Sequence, residues 1–326
     1  MTGTHDVRAL LARVNDRIAL DGHDGRSGAT LERGVLDDGR PVIVKTVAPD
    51  HDITFALGAE PTGRERRLWE ARVLDDLPPG IGHALLGAGW VDGLLVTVMS
   101  DLGSAVLTWD RRLSADDLDR IFGALATLHR RFADQAPVGL CDLRTRAALF
   151  APDRFASLAA DHELVHAVLA GWEHFVETVP HAIADTVLST LRQPEDLVAV
   201  LASGVSTLCH GDAWLVNMAI TRSEVVLLDW NLATHGPASL DFVDFVVGCA
   251  AHIDLPDDVV LSKARDACRD LVEDTVWHAT LFWALCELGW NKALDATTHP
   301  DHNGRARARR ELQWWVEQAD RALQTM

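Results

Sequence analysis

Two carboxylates and one carboxamide are spaced along this chain in a way that suits phosphoryl transfer. Asp212 lies in the segment His210–Asn217 (HGDAWLVN), Asn217 follows it by five residues, and Asp229 comes twelve residues later. A carboxylate can orient an attacking hydroxyl, and an amide oxygen together with a second carboxylate can hold Mg²⁺. These three side chains therefore form the first candidate site.

The surrounding segments are expected to bring these residues together. The apolar run Val225–Leu228 is rich in β-branched residues and follows a turn-like Arg-Ser pair, which predicts a buried strand. Such a strand would place Asp229 at its end, pointing into a cleft. Gly211 and Asp212 separate two apolar stretches, which predicts a loop. We expect Asp212 and Asn217 to flank this loop and Asp229 to face them.

The composition excludes several functional classes. With 326 residues, of which 48% are hydrophobic and 24% charged, the chain can bury a substantial core. A formal net charge of −18 should repel nucleic acid and anionic membranes, and no apolar run is long enough to span a bilayer. No signal peptide is evident, so a cytoplasmic location is expected. The five cysteines are widely spaced, which favours reduced thiols over disulfides or a zinc site.

Two regions of different character are predicted, divided near residue 100. In the first region, strands are predicted over residues 17–20, 29–36, 41–47, 84–90 and 94–99, with a loop over 48–62 and a helix over 63–77. In the second region, helices are predicted over residues 114–131, 165–179, 183–192, 195–202, 240–252, 257–294 (broken once) and 306–323. The prediction is an α+β fold with a small antiparallel-sheet N-terminal lobe (1–100) and a larger, mainly helical C-terminal lobe (101–326).

Lys45 is one of only three lysines and lies in the apolar strand predicted over residues 41–47. The alternation of side chains places it on a covered face, where a lysine requires an anion. Its partner is expected from the helix predicted over residues 63–77, which offers Glu65 and Glu70. These acids are five residues apart, or roughly 140° around a helix, so both cannot serve equally.

Four motifs, taken in order, resemble the aminoglycoside phosphotransferase family, the small-molecule branch of the protein-kinase-like fold. This family also includes choline, homoserine and fructosamine kinases. The motifs are the HGD-x4-N loop His210–Asn217, the pair Asp229-Trp230 in place of the DFG of protein kinases, the Gly-Pro-x3-Asp segment Gly236–Asp241, and Leu128-His129 in the first long helix of the second region. Each motif alone is weak, but the ordered set is specific.

The resemblance implies a role for each candidate residue. Asp212 would be the catalytic base, which orients the acceptor hydroxyl more than it deprotonates it. Asn217 and Asp229 would bind Mg²⁺, and Lys45 would contact the α- and β-phosphates of ATP. Glu65 would pair with this lysine, because it stands in the family's Arg-Glu-x3-aromatic pattern.

Other nucleotide contacts are implied by the same resemblance. Ser27 and Gly28, in the glycine-rich segment 21–28, would cover the phosphates, although a plain β-turn explains this segment equally well. The link between the two regions would bind adenine through its backbone at Asp101, with Met99 against the ring.

Three further residues are interpreted as structural. His210 would support the loop by hydrogen bonding. Asp241 would either brace the same loop or be an ordinary acid at a helix N-terminus. Trp214 replaces the His or Asn that many family members carry two residues after the loop Asp, and packing beneath the loop is favoured over contact with the acceptor. The C-terminal tryptophans are interpreted mainly as core residues.

The implied activity is an ATP- and Mg²⁺-dependent O-phosphotransferase acting on a small molecule. A hydroxyl-rich antibiotic (an aminoglycoside, or a sugar-, nucleoside- or peptide-type compound) is the favoured acceptor, which implies antibiotic resistance. A metabolic sugar or amino-alcohol kinase is the alternative, and a non-catalytic, pseudokinase-like binding protein is the alternative from a different class. A protein kinase is disfavoured, because the short interval between Trp230 and Gly236 leaves no room for a long activation segment. Acceptor identity, the choice of ATP or GTP and oligomeric state stay open.

Overall fold

Short strands dominate the first hundred residues of the protein. The computed structural model describes residues 6–20, 28–50, 52–58, 62–158 and 162–325. The strands are β1 (Val14–Ala19), β2 (Thr30–Leu36), β3 (Pro41–Val47), β4 (Ile81–His83), β5 (Leu85–Val91) and β6 (Leu94–Ser100). Within these described ranges, five strands form one antiparallel sheet in the order β1-β2-β3-β6-β5. The central strand is β3, which carries Lys45.

The two faces of this sheet differ, as the alternation along β3 predicts. Val42 and Val44 are fully buried and belong to the same apolar cluster as residues of helix α1 (Val7–Leu11). Lys45 projects from the opposite face and is only 8% exposed. The sheet therefore delivers a charged side chain to a covered position.

A second sheet joins the first hundred residues to the rest of the chain. Strand β4 pairs in parallel with β9 (Val225–Leu227), and β9 pairs antiparallel with β8 (Met218–Ile220). β9 is the buried strand predicted from the sequence. Since β4 shares a sheet with strands from beyond residue 100, the division into lobes 1–100 and 101–326 stays a prediction.

Helices dominate the second region. They are α4 (Ala115–Arg131), α5 (Leu143–Ala147), α6 (Pro152–Phe155), α7 (Glu163–Thr178), α8 (His181–Arg192), α9 (Glu195–Ala202), α10 (Ser239–Cys249), α11 (Asp257–Ala267), α12 (Asp274–Thr298) and α13 (His302–Leu323). The short strands β7 (Thr207–Cys209) and β10 (Thr234–Gly236) pair with each other. The expected α+β class is confirmed. No helix in the described part of the chain combines the length and apolar character of a bilayer span.

Helix α12 forms the centre of the helical region. Most of its residues are buried, and it packs against α7, α10 and α13. Its tryptophans Trp277, Trp283 and Trp290 are all buried. Core packing, the interpretation favoured from their spacing, is therefore the role that these side chains play.

The helix predicted over residues 63–77 is wrong in length. Helix α3 spans Arg64–Glu70, and the backbone of Arg72 then adopts a left-handed conformation with φ 60°. This conformation interrupts the i to i−4 hydrogen bonds and ends the helix. A short 3₁₀ turn, Leu74–Asp76, follows.

Short elements account for most of the other differences, apart from shifts of four residues at the start of α13 and the end of α12. Helix α2 (Ile53–Gly58) lies within the predicted loop 48–62, and helices α1 and α5 and strand β4 were not predicted. Strand β1 begins three residues earlier than predicted. Elements of three to six residues are too short to display a period, so their apolar pattern gives no signal.

Candidate active site

A β-hairpin explains the spacing of Asn217 and Asp229. Strands β8 and β9 pair so that Met218 lies opposite Leu227. The N–H of Leu228 donates to the carbonyl oxygen of Asn217 at 2.8 Å. Asn217 directly precedes β8, and Leu228 alone separates Asp229 from the end of β9, so both side chains start from the same end of the hairpin. The twelve-residue interval is thus the length of two short strands and their turn.

The amide of Asn217 is oriented by Asp212. Its Nδ2 donates to the Asp212 carboxylate Oδ2 at 2.8 Å and to the Asp212 carbonyl oxygen at 3.0 Å. Because the amide group is planar, the Oδ1 atom of Asn217 faces away from these contacts and is the atom available to a cation. The carboxylate of Asp229 stands at the same end of the hairpin. This set of oxygen atoms suits a hard divalent cation such as Mg²⁺.

Asp229 stands between this group and Lys45. The Lys45 Nζ donates to Asp229 Oδ2 at 2.6 Å, and Asn231 Nδ2 donates to the other carboxylate oxygen at 2.7 Å. The Asp229 side chain is 35% exposed and that of Lys45 only 9%. Burial by itself lowers the pKa of Lys45, but Asp229 and Glu65 outweigh it and raise this pKa above its ordinary value. The lysine is therefore a permanent positive charge in the wall of the site.

Of the two acids proposed as partner of Lys45, Glu65 faces inward. It is 2% exposed, and its Oε1 accepts a hydrogen bond from the Trp230 N–H at 3.3 Å. Burial raises the pKa of Glu65 to about 7, and Lys45 opposes this rise. Glu70 is exposed and pairs with Arg66. Within the described residues the ion pair of Lys45 is with Asp229, and the charge of Glu65 also acts on the lysine, so its role as partner of Lys45 stays a prediction.

A buried acid braces the loop that carries Asp212. The N–H groups of His210 and Gly211 donate to the two oxygens of Asp241, at 2.6 Å and 2.9 Å. His210 Nε2 donates to the carbonyl oxygen of Leu228 at 2.9 Å, which joins the loop to the hairpin. Burial lowers the pKa of His210 to about 4, so its ring is neutral near pH 7 and its one N–H is the donor to Leu228 and not an acidic proton for catalysis. Both residues occupy the structural positions that the sequence suggested.

Three potential metal ligands meet behind the loop, where they form a buried polar cluster. Ligand atoms of His129, Cys209 and Asp241 lie within 4.8 Å of one another. Burial raises the pKa of the Cys209 thiol well above its ordinary value, and the thiol donates to the carbonyl oxygen of Gly236 at 3.5 Å. A protonated thiol beside an acid that already holds two N–H groups is a poor cation site. The cluster therefore belongs to the bracing of the loop.

Gly211 is required by both its conformation and its surroundings. Its φ is 78°, and an added Cβ would lie 2.0 Å from the carbonyl oxygen of Leu232. We expect Gly211→Ala to destabilise the fold by at least about 2 kcal/mol, since strain and a backbone clash add. Gly39→Ala is the matched control, because φ there is 85° but no atom lies within 4 Å of the added Cβ. Equal losses in denaturant-unfolding free energy for the two variants would contradict this reading of the loop.

Sequence reasoning missed Arg146. This arginine on α5 is 3% exposed, and its guanidinium contacts the carbonyl oxygen of Gly211, Asp244 on α10 and Glu287 on α12. A signal was present, because Glu287 interrupts a strongly apolar stretch of α12 and a buried acid requires a cation. Which cation meets it depends on how three helices pack.

The ionisation of Asp212 is set by its surroundings. Burial raises the pKa of Asp212 to about 7, and the negative charge of Asp229 acts in the same direction. Arg146 and the hydrogen bond from Asn217 oppose this rise. A carboxyl group with such a pKa can accept a proton near neutral pH.

The four residues proposed to contact the nucleotide in addition to Lys45 differ in how the structure places them. Ser27 lies outside the described residues, while Gly28 is exposed two residues before β2. Met99 lies on β6, half-buried and packed against two apolar clusters. The N–H of Asp101 donates to the carbonyl oxygen of Pro41 at 3.1 Å, and its side chain pairs with Arg33. This N–H is engaged within the protein, which argues against Asp101 as a backbone donor to a base.

Trp214 packs at the edge of the loop. Its indole lies against Gly248 of α10, where an added Cβ would come within 3.2 Å of the ring. The ring centre of Trp109 is 5.9 Å from that of Trp214 and 5.1 Å from that of His252. The favoured packing interpretation agrees with these contacts, and the half-buried rings form an aromatic cluster beside the loop (Trp109, Trp214 and His252).

Comparison with known proteins places this geometry in a family. The family model of the phosphotransferase enzyme family (APH) matches residues 35–283. No curated protein matches the chain in sequence. Three solved structures share the fold at low identity. An aminoglycoside phosphotransferase from Alicyclobacillus acidocaldarius subsp. acidocaldarius is 15% identical, with a TM-score of 0.50 over 98% of this chain and 94% of that chain.

The other two structures extend the range of substrates. A spectinomycin phosphotransferase in complex with ADP and spectinomycin is 12% identical, with a TM-score of 0.52 over 95% of this chain and 94% of that chain. The choline kinase LicA from Streptococcus pneumoniae is 14% identical, with a TM-score of 0.53 over 93% and 95%. The resemblance inferred from the motif order is confirmed. Because the family model covers most of its length, this chain belongs to the aminoglycoside phosphotransferase family of small-molecule kinases, which implies the use of ATP.

Proposed function

We propose that this protein is an ATP- and Mg²⁺-dependent O-phosphotransferase that transfers the γ-phosphate to a hydroxyl of a hydroxyl-rich antibiotic. One observation carries the proposal. Lys45, Asp212, Asn217 and Asp229, which come from distant parts of the sequence, form one connected group of hydrogen bonds and charges. This group contains a permanent cation, two oxygen donors for a metal ion and a carboxylate with a pKa near neutrality.

Each side chain has a distinct role in the proposed reaction. Asn217 Oδ1 and the Asp229 carboxylate would hold Mg²⁺, which when bound neutralises the charge that develops on the transferred phosphoryl group. Lys45 would contact the α- and β-phosphates, and Glu65 would keep its ammonium group in place. Asp212 would orient the acceptor hydroxyl and take its proton as transfer proceeds.

The rest of the nucleotide site is proposed from the first hundred residues. Gly28, with Ser27 before it, would cover the phosphates, and Met99 would lie against the adenine ring. The segment around Asp101 would supply carbonyl oxygens to the base, since the Asp101 N–H is engaged by Pro41. Residues 1–100 would thus form the nucleotide lobe and residues 101–326 the catalytic and acceptor lobe.

Two observations favour different acceptors. The aminoglycoside and spectinomycin phosphotransferases with this fold act on hydroxyl-rich antibiotics by name, which supports an antibiotic acceptor and a role in resistance. The aromatic cluster beside Asp212 could instead hold a cationic amino alcohol through cation–π contacts, and a choline kinase has the same fold. An amino-alcohol or sugar kinase is therefore the second candidate.

An acceptor screen separates these candidates. Purified protein would be mixed with ATP, Mg²⁺ and single acceptors, and ADP release would be followed together with the mass of the product. The panel would include aminoglycosides, spectinomycin, nucleoside and peptide antibiotics, choline, homoserine and simple sugars. A gain of one phosphate on an antibiotic supports the proposal. Turnover of choline or sugars alone favours the second candidate, and ATP binding without turnover of any acceptor would sink the enzymatic proposal.

The pH dependence follows from Asp212. We expect kcat/KM to fall as the pH drops through about 7, because burial raises the pKa of Asp212 to about 7 and only the ionised form accepts a proton. Below that point the loss should approach about tenfold per pH unit. Bound Mg²⁺ favours the carboxylate, so the acid limb of kcat should lie at lower pH than that of kcat/KM. A profile that stays flat across this range would remove Asp212 from the proton transfer.

A further inference from the structure

One buried arginine contacts the backbone directly before Asp212. The Nη2 atom of Arg146 donates to the carbonyl oxygen of Gly211 at 2.9 Å. This oxygen belongs to the peptide group that joins Gly211 to Asp212. The contact therefore fixes the plane of the peptide group from which the Asp212 side chain projects. Asp241 accepts from the N–H groups of His210 and Gly211, which precede Asp212.

Two long helices hold the guanidinium of Arg146 in place. Its Nη1 donates to Glu287 Oε2 on α12, and its Nη2 also donates to Asp244 Oδ2 on α10 at 3.3 Å. The Cζ atom lies 5.5 Å from the ring centre of Trp283. A guanidinium presents its donors in a rigid planar fork, so these neighbours together define its orientation.

The same group brings positive charge behind the loop. Burial by itself lowers the pKa of Arg146, but Glu287 and Asp244 outweigh it and raise this pKa above its ordinary value. Burial raises the pKa values of Asp244 and Glu287, and Arg146 opposes both shifts. Arg146 therefore stays charged, and its contacts with the two acids and with the Gly211 carbonyl oxygen are charge-assisted hydrogen bonds.

We propose that Arg146 is a positioning residue for phosphoryl transfer. Anchored by Asp244 and Glu287, it fixes the peptide group that joins Gly211 to Asp212 and so sets the direction from which the Asp212 carboxylate meets an acceptor hydroxyl. The inference rests on the proposed role of Asp212. It assigns a function to a buried polar cluster between three helices, where apolar side chains would avoid the free-energy cost of desolvating charged groups.

The test needs variants that stay folded. Removing Arg146 alone leaves Glu287 buried without a partner, which destabilises a fold. Arg146→Lys keeps the charge but lacks the fork. The double variant Arg146→Met/Glu287→Met removes Arg146 and one of its two acids and leaves Asp244, whose pKa burial raises well above its ordinary value. Arg144→Met is the matched control, because Arg144 lies on the same helix and forms a surface pair with Glu195.

We expect Arg146→Lys to lower kcat by at least about tenfold, since a small misplacement of a reacting group is costly. The affinity for ADP, measured by calorimetry, should stay at the wild-type value. The hydrogen bonds of Arg146 are with Gly211, Asp244 and Glu287, and not with the proposed nucleotide and metal contacts. Arg144→Met should behave as wild type in both measurements. Wild-type kcat in Arg146→Lys would overturn the proposal, as would a joint loss of kcat and ADP affinity.

The double variant adds a second measurement of the same contact. It removes the donor to the Gly211 carbonyl oxygen together with one of its anchoring acids. In a folded double variant, kcat should fall at least as far as in Arg146→Lys, while the affinity for ADP stays at the wild-type value. Wild-type kcat in a folded double variant contradicts the proposal, and if this variant does not fold, Arg146→Lys decides alone.

The outcome does not depend on finding an acceptor. If the wild-type chain turns over no acceptor, the proposed function fails, yet the positioning of the loop can still be measured by hydrogen exchange. Amides of residues 210–213 should lose protection in Arg146→Lys but not in Arg144→Met. Unchanged protection in both variants would show that Arg146 does not hold the loop.

Discussion

Replacing Asp212 with alanine is expected to lower kcat by about 10²- to 10⁴-fold, the range that a positioned acid–base group contributes. The affinity for ATP and Mg²⁺ should change little. The Asp212 carboxylate contacts Asn217 Nδ2, whereas the ion pair of Lys45 is with Asp229. A loss confined to kcat indicates an interaction made in the transition state. Steady-state kinetics with an identified acceptor, together with calorimetry of nucleotide binding, measure the two quantities separately.

Asp212→Asn is the matched variant. Asparagine keeps the shape of the side chain and an oxygen that accepts from Asn217, but it cannot take a proton. We expect its kcat to be nearly as low as that of the alanine variant, with less disturbance of the Asn217 amide. Turnover close to wild type in Asp212→Asn would show that the side chain orients its neighbours without taking part in proton transfer.

Replacing Asp229 with alanine is expected to weaken nucleotide binding as its main effect. Replacing a residue that only hydrogen-bonds to a metal ligand typically lowers metal affinity by roughly 10- to 100-fold. As a proposed direct ligand, Asp229 should contribute at least as much. Its loss also leaves Lys45 buried beside Glu65 alone. We expect the affinity for ATP measured with Mg²⁺ to fall by at least about tenfold and kcat/KM to fall further. Calorimetry with and without Mg²⁺ separates the metal contribution from that of the phosphates.

Asparagine is the better substitution at this position as well. The backbone of Asp229 is left-handed, with φ 62° and ψ 71°. Asparagine tolerates this conformation, whereas alanine adds strain of its own. Asp229→Asn therefore removes the charge with little change in the backbone. If Mg²⁺ still strengthens ATP binding as much in this variant as in wild type, the carboxylate is not a metal ligand.

The part of the site that the sequence predicts is the part encoded over short distances. The interval between Asn217 and Asp229 is one hairpin, and the apolar run before Asp229 is one of its strands. The alternation along β3 places Lys45 on the covered face, because side-chain direction in a strand depends only on position. Local patterns of this kind follow from backbone geometry and need no knowledge of the tertiary fold.

The part that escaped prediction depends on how distant segments pack. The partner of Lys45 is Asp229, 184 residues away, although the helix with Glu65 is far nearer in sequence. Arg146 meets acids from two helices whose mutual arrangement no local pattern contains. The early end of helix α3 is different, because it rests on a left-handed arginine closed by a local hydrogen bond from the Val73 N–H to the Leu68 carbonyl oxygen, and an arginine gives no sequence signal for that conformation.

The parallel pairing of β4 with β9 has a consequence for how this enzyme can move and how it can be divided. A strand of the first hundred residues is hydrogen-bonded to the hairpin that carries the proposed metal ligands. A movement that opens or closes the nucleotide site and keeps this pairing would carry β4 along with the hairpin, and only the strands of the five-stranded sheet could then shift relative to it. A fragment that starts after residue 100 would expose the bare edge of β9 and invite self-association.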